Sequence, residues 1–283
     1  ATQAEATLSG ITAFGTDGYT LGASDLWSEN STSFASWNWK ANGAGSLNEV
    51  GSIDSTVSAN TTSGFSIVSY AGNSTAGATI GHSLGVAPKM IIVKDRDGAD
   101  SWVVYHNSLA ITEYLILNST SAALTDNEVI FYDTDPTSSV FTVGAHNTVN
   151  QSGHNYIAYC FAEKQGYSKF GSYTGNGSTD GTFVYTGFKP AFVMIKATGL
   201  VKNWLTFDNR RLGYNGAGTN KQLHPNTNGT ESSGNGTTLD ILSNGFKTRT
   251  TDSDENGSGQ NYIYMAFAEN PFVASNFVPT TAR

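Results

Sequence analysis

The sequence predicts an all-β fold: tandem homologous antiparallel β-sandwich units in a lectin-like or jelly-roll style, with minimal helix. Three observations carry this. First, two long apolar-aromatic stretches, Asn155–Glu163 (NYIAYCFAE) and Asn261–Glu269 (NYIYMAFAE), end in the same Phe-Ala-Glu. Aromatic and β-branched residues suit a pleated, packed surface, and neither face of either stretch is polar. Each therefore reads as a long strand covered on both sides. Second, Pro190–Lys196 reproduces Pro88–Lys94 at an offset of 102 residues, and Trp204 and Asn209 repeat Trp102 and Asn107 at that same offset. A spacing this steady marks a duplication, with a period too long for a solenoid rung. Third, no segment sustains a 3.6-residue apolar period, so little helix is expected.

Taken in order, residues 1–62 read as the remnant of an upstream repeat plus a polar connector. Strands are expected at Asp17–Leu21 and Phe34–Lys40, while residues 42–62 offer little core material. The step from Tyr19 to Phe34 is fifteen residues, as is that from Phe141 to Tyr156, and that from Phe246 to Tyr262 is sixteen. The three blocks share one plan: aromatic strand, polar loop, long aromatic strand. Residues 63–165 form the first full repeat. Its expected strands are Phe65–Tyr70, Lys89–Lys94, Trp102–His106, Tyr114–Asn118, Val129–Tyr132, Val140–Val143 and Asn155–Glu163, separated by turn residues. Residues 166–272 form the second repeat, with Phe170–Asn176, Pro190–Lys196, Gly245–Lys247 and Asn261–Glu269 as its markers. Residues 273–283 are a C-terminal tail. Stacking the copies is expected to bury faces that one unit leaves open.

Composition narrows the partners. Of 283 residues, 13% are charged and the formal net charge is −8. No Lys/Arg cluster is present to neutralise phosphates, which argues against nucleic acid. An acidic surface disfavours anionic membranes, and no apolar run reaches the length of a membrane-spanning helix. The single cysteine, Cys160, lies inside an apolar strand and reads as a buried, inert thiol. A disulfide-free β-protein of this size fits a bacterial or viral cytoplasmic assembly route better than a eukaryotic secretory one. No signal peptide is visible, and the start at Ala1 without Met leads us to expect upstream sequence that was cut, disordered or never included. Asn-x-Ser/Thr triplets such as Asn73, Asn118 and Asn176 read as turns of an Asn/Ser/Thr-rich chain.

Catalytic patterns are sparse. Gly81-His82-Ser83-Leu84-Gly85 resembles a nucleophile elbow only faintly: it precedes a strand, and the second repeat has no counterpart to His82. Glu163 and Glu269 are one position in two copies and so lie in separate units; each reads as a strand-end carboxylate rather than as half of a glycosidase pair. Asp95, Asp97 and Asp100 have the Asp-x-Asp-Gly look of a calcium loop without its terminal Glu, and Asp252 and Asp254 form a second acidic loop. Calcium is thus the one ion considered; no cofactor is expected, and the five His residues show no zinc or iron spacing. Sugar binding calls for aromatic faces on polar loops. Trp27, Tyr132, Tyr214 and His224 are the candidates, whereas Trp102 and Trp204, at equivalent positions in apolar strands, read as core. The 203–236 loop region differs most between the copies.

Several of these stretches resemble a known family. Gly81–Lys94, Tyr156–Glu163, Gly171–Gly177, Trp37–Gly43 and Phe267–Phe272 look like a repeated domain of virion proteins from marine tailed phages, and the likeness covers nearly the whole chain. In that family full proteins often carry an upstream lectin-like (concanavalin or SPRY-type) sandwich. The resemblance implies a non-enzymatic virion structural protein, a tail fibre or similar appendage that self-assembles, with a trimer the commonest fibre arrangement. It further implies contact with other virion proteins and with a host surface glycan, and it carries over no catalytic residue. Alternatives are a capsid decoration or baseplate protein, a secreted carbohydrate-binding module, and a tailspike depolymerase.

Overall fold

A computed structural model describes residues 2–6, 10–211, 215, 221–232 and 238–270 of the chain. The N-terminal part holds a hairpin, β1 (Ile11–Phe14) and β2 (Tyr19–Leu21), and one helical turn, α1 (Asp25–Ser28). Next come β3 (Ser46–Asn48), β4 (Ser55–Asn60), β5 (Phe65–Ala71), β6 (Ala78–Gly81), β7 (Met90–Asp95), β8 (Val103–His106), β9 (Glu113–Ile116), β10 (Leu124–Thr125) and β11 (Val140–Val143). A second helical turn, α2 (Asn147–Asn150), precedes β12 (Asn155–Phe161). The remainder is β13 (Ser168–Thr174), β14 (Phe183–Tyr185), β15 (Pro190–Ala197), β16 (Leu205–Asp208), β17 (Leu239–Leu242), β18 (Gly245–Thr248) and β19 (Asn261–Ala268). The fold is all-β, and every strand pair is antiparallel.

The duplication is visible in the topology. The central sheet runs β10-β9-β8-β7-β12-β5-β4-β3, and within it β5-β12-β7-β8 has the same order as the second main sheet, β13-β19-β15-β16. Each main sheet is backed by a small one, β11-β6 in the first unit and β14-β18-β17 in the second. The two long strands lie in the middle of their sheets because both of their faces are apolar. Tyr156, Ala158 and Cys160 enter the first unit's own core with Val68, Tyr70, Ile91, Val93 and Phe141. Tyr262, Tyr264 and Ala266 do the same in the second unit. Stacked tyrosines mark the equivalence, Tyr70 on Tyr156 at 5.2 Å and Tyr173 on Tyr262 at 5.0 Å.

The opposite faces of the two main sheets pack on each other. Phe65, Met90, Ile92, Val104, Leu115 and Phe161 from the first unit meet Phe170, Phe192, Met194, Trp204, Met265 and Phe267 from the second. This seam is the burial expected from stacking the copies. The N-terminal segment joins it. Trp37, Trp39 and Ala41 pack against the same cluster, alternating as Tyr159 and Phe161 do, and as Ile263, Met265 and Phe267 do. Trp39, Phe161 and Phe267 hold one equivalent position in the three aromatic stretches, and their rings form a triangle. The centroid distances are 5.9 Å (Trp39–Phe161), 5.4 Å (Trp39–Phe267) and 6.1 Å (Phe161–Phe267). Three homologous segments thus converge on one pseudo-threefold point.

Three local expectations are corrected. Phe34–Lys40 forms no ladder strand: it runs extended into the seam, where its tryptophans pack without a neighbouring strand to bond. Residues 42–62 are more than a connector, since β3 and β4 extend the central sheet and Ile53 and Val57 enter the first core. Val129–Tyr132 is a turn, because the buried Asp126 carboxylate accepts the N–H groups of Val129, Ile130 and Phe131 and takes them out of any ladder. Asn127, Glu128, Tyr132 and Asp133 all have positive φ there.

Candidate functional site

The densest polar constellation lies where β7 ends. The Asp95 side chain is fully buried. Its Oδ1 accepts the N–H groups of Asp97 and Gly98, each at 2.9 Å, and its Oδ2 meets His154 Nδ1 at 2.8 Å. Asp97 Oδ2 accepts the Asn155 backbone N–H at 2.6 Å and its side-chain amide at 2.9 Å. These bonds hold the exposed Asp97 carboxyl below the usual carboxylate range. Asp95 and Asp100 both flank Gly98, where a Cβ would meet Asp95 Oδ2 at 2.5 Å and Asp100 Oδ2 at 2.8 Å. The middle of this loop holds a cation from the chain itself. Lys94 Nζ donates to Gly98 O at 2.8 Å and to Asp95 O. Burial lowers the Lys94 ammonium from its ordinary value, and Asp95 and Asp100 oppose that shift.

The second unit keeps the lysine and drops the acids. Lys196 Nζ donates to Ala197 O at 2.7 Å, to Leu200 O at 3.2 Å and to Thr120 O of the first unit at 3.4 Å. With Ala197 where Asp95 stands, burial pulls the Lys196 ammonium down to about 8. The element common to both turns is therefore an ammonium ringed by backbone carbonyls. Asp95 and Asp97 are spent on N–H groups and His154, which leaves Asp100 as the loop's one further carboxylate beside Gly98. The donor set does not fit a calcium ion, which needs six to eight oxygens free to turn inward. Asp254 is taken by Lys202 Nζ at 2.6 Å, with Asp252 at 4.0 Å from the same amine. Among the described residues no three His, Cys, Asp or Glu side chains converge closely enough to hold a metal ion.

The aromatic candidates are dispersed. Trp27 sits on α1 with its indole beside Gly10 and its ring partly in solvent. Tyr132 is half-buried in the Asp126 turn, its ring against Gly77. His224 is half-buried in the second unit, and burial lowers its imidazole from the ordinary value. Tyr214 lies outside the described residues. No ring contact or hydrogen bond among the described residues joins Trp27, Tyr132 and His224. The core reading of Trp204 holds: it is buried, and its Nε1–H donates to Ile116 O at 2.9 Å. Trp102 is half-buried and stacks on Tyr159 at 6.4 Å. His82 is a turn residue, its Nδ1 accepting the Leu84 N–H and its Nε2 bonded to Thr137 O. Cys160 is buried and its thiol is pushed up to about 12 by burial, as an inert core thiol requires.

Two buried ionisable groups escaped sequence reasoning. His106 Nε2 bonds Tyr264 O across the seam at 3.1 Å, and burial lowers the imidazole to about 4, so it is neutral. Glu255 is buried in the second unit with its carboxyl beside Thr238. Burial first, then the charges of Asp252 and Asp254, raise its carboxyl well above the usual range. The equivalent residue in the first unit is Val149. That comparison between copies was the one available signal.

The fold and its shared aromatic seam define a class: an all-β protein of tandem sandwich units locked together by equivalent faces. Residues 1–271 match the family described as "Domain of unknown function (DUF7483)", and the chain belongs to that family. No curated protein matches the chain, and no solved structure does.

Proposed function

We propose that this chain is a non-enzymatic structural module of a tailed-phage virion appendage, a tail fibre or a part of similar build. It would contact other virion proteins along its length and a host surface glycan at its distal loops. The observation that supports this reading is the aromatic triangle of Trp39, Phe161 and Phe267. A fibre of three chains places equivalent residues around a threefold axis. Here three homologous segments of one chain do the same, so one copy has the local symmetry to sit on such an axis. The polar constellations favour the same reading, since the Lys94 and Lys196 turns spend their charge on holding backbone. For the glycan, Tyr132 is the best-placed candidate, because the Asp126 turn presents it from a fixed backbone.

Immunogold electron microscopy of virions that carry this sequence tests the assignment. Labelled appendages are expected, with quantitative mass spectrometry giving one chain per appendage cross-section. Label confined to material outside the particle would overturn it. Loss of glycan-array binding in Tyr132→Ala is the matching test of the distal contact.

A further inference from the structure

Positions 19–41 hold the place of 141–163 at a constant offset of 122 residues, and the structure repeats its details. In α1, Ser24 O accepts the N–H groups of Trp27 and Ser28; in α2, His146 O accepts those of Val149 and Asn150. Ser31 at φ 65° stands where Gly153 has φ 83°. Ser28 Oγ donates to Gly22 O at 2.8 Å, as Asn150 Nδ2 donates to Gly144 O at 2.9 Å. The segment is therefore the closing part of a unit in its native conformation, yet its inner face is bare. Leu21, Trp27 and Phe34 are 38%, 43% and 52% exposed, whereas their counterparts Val143, Val149 and Tyr156 are all at 0%.

Contacts between units follow one cyclic order. From the first unit to the second, Ala123 N–H donates to Thr198 O and His106 reaches Tyr264 O. From the second to the N-terminal segment, Asp208, the counterpart of His106, accepts the Trp37 Nε1–H at 3.3 Å. From the N-terminal segment to the first unit, Glu5 N–H donates to Arg96 O, the counterpart of Thr198. Glu5 thus stands where Ala123 stands, and the ring closes. Among the described residues, nothing in the N-terminal member of that ring stands in the place of β5–β9. The bare edge is visible on the first unit too: Trp102 is half-buried, while its counterpart Trp204 is capped by β9 of the neighbouring unit.

We infer that residues 10–36, with the Trp102 edge of the first unit, form a docking surface for a third unit of this same fold, one that supplies strands equivalent to β5–β9. The occupant is fixed by register: its core must fit Leu21, Trp27 and Phe34, and its β9 equivalent must cap Trp102 as β9 caps Trp204. The inference rests on the pseudo-threefold seam and does not need the virion assignment.

The test uses two extended chains. In the first, a copy of residues 42–119 precedes Thr2, so that the copy runs into the N-terminal segment in register. In the second, a copy of residues 42–161 precedes Lys40, giving the added unit its own closing strand. Amide hydrogen exchange and acrylamide quenching are read against the original chain. Exchange over Leu21–Phe34 slowed by about a hundredfold in the first chain, or Trp102 shielded in the second, supports the proposal. Leu26→Asp with Phe34→Asp should abolish the first effect while leaving the melting temperature of the original chain unchanged. Leu21–Phe34 unaltered in the first chain together with Trp102 unaltered in the second would overturn it. So would concentration-dependent protection of Leu21–Phe34 in the original chain alone, which would make the occupant a second copy.

Discussion

At the residue scale, the two units test each other, since one carries what the other lacks. Glu255 occupies the place of Val149 and keeps a buried carboxyl beside Asp252, Asp254 and Thr238. Its folded-state pKa is raised, so the folded protein holds a proton that the unfolded chain releases above its ordinary carboxylate value. Stability from this group therefore falls as pH rises from that value towards the raised one. Glu255→Val should stabilise the chain by about 1–3 kcal/mol near neutral pH and flatten that fall, read from urea melts at several pH values. An unchanged pH profile would show that Glu255 is not buried as described. His106 acts in the opposite sense. Its pKa, lowered to about 4, makes the folded state resist a proton that the unfolded chain accepts near 6.5, so stability drops as pH falls through that window. Lys94 and Lys196 lead to a metal prediction. With ammonium groups already ringed by carbonyls, neither EDTA nor added calcium should move the melting temperature by more than about a degree. A rise of several degrees with calcium would restore the acidic-loop reading.

At the scale of elements, legibility followed the partner each stretch finds. Asn155–Glu163 and Asn261–Glu269 were readable because both of their faces are apolar and both are covered, one by the unit's own core and one by the seam. Val129–Tyr132 has equally strand-like residues and was misread. The decisive group is Asp126, which captures three consecutive N–H groups, and no residue pattern announces that Asn127 and Glu128 will take positive φ. Asp126→Asn would replace an acceptor oxygen with an NH2 group facing N–H donors. It should cost about 1–3 kcal/mol, measured by denaturant unfolding, and free Tyr132 from its fixed position. Phe34–Lys40 shows the converse. Its aromatic alternation was legible, but a strand needs a neighbouring strand to bond, and here the segment finds rings and the Asp208 carboxylate instead. Of the site candidates, the core role of Trp204 and the inert thiol of Cys160 followed from apolar surroundings. Trp27, Tyr132 and His224 were chosen by residue type and loop position, which say nothing about proximity, and the fold keeps them apart.

At the scale of the molecule, the seam makes two sandwiches and an N-terminal segment one body. The fifteen-residue step from Tyr19 to Phe34 was the sequence trace of this arrangement. That the equivalent Trp39, Phe161 and Phe267 would meet is a property of how the units face each other, which no single repeat encodes. The central claim is that the three rings tie the units into one cooperative structure. Scanning calorimetry of the chain and of Trp39→Ala tests it most directly. A single transition for the original chain is expected, lowered as a whole in Trp39→Ala by a loss of about 3 kcal/mol, at the low end for a large aromatic because Trp39 is only partly buried. Two separate transitions, neither moved by the substitution, would contradict the account.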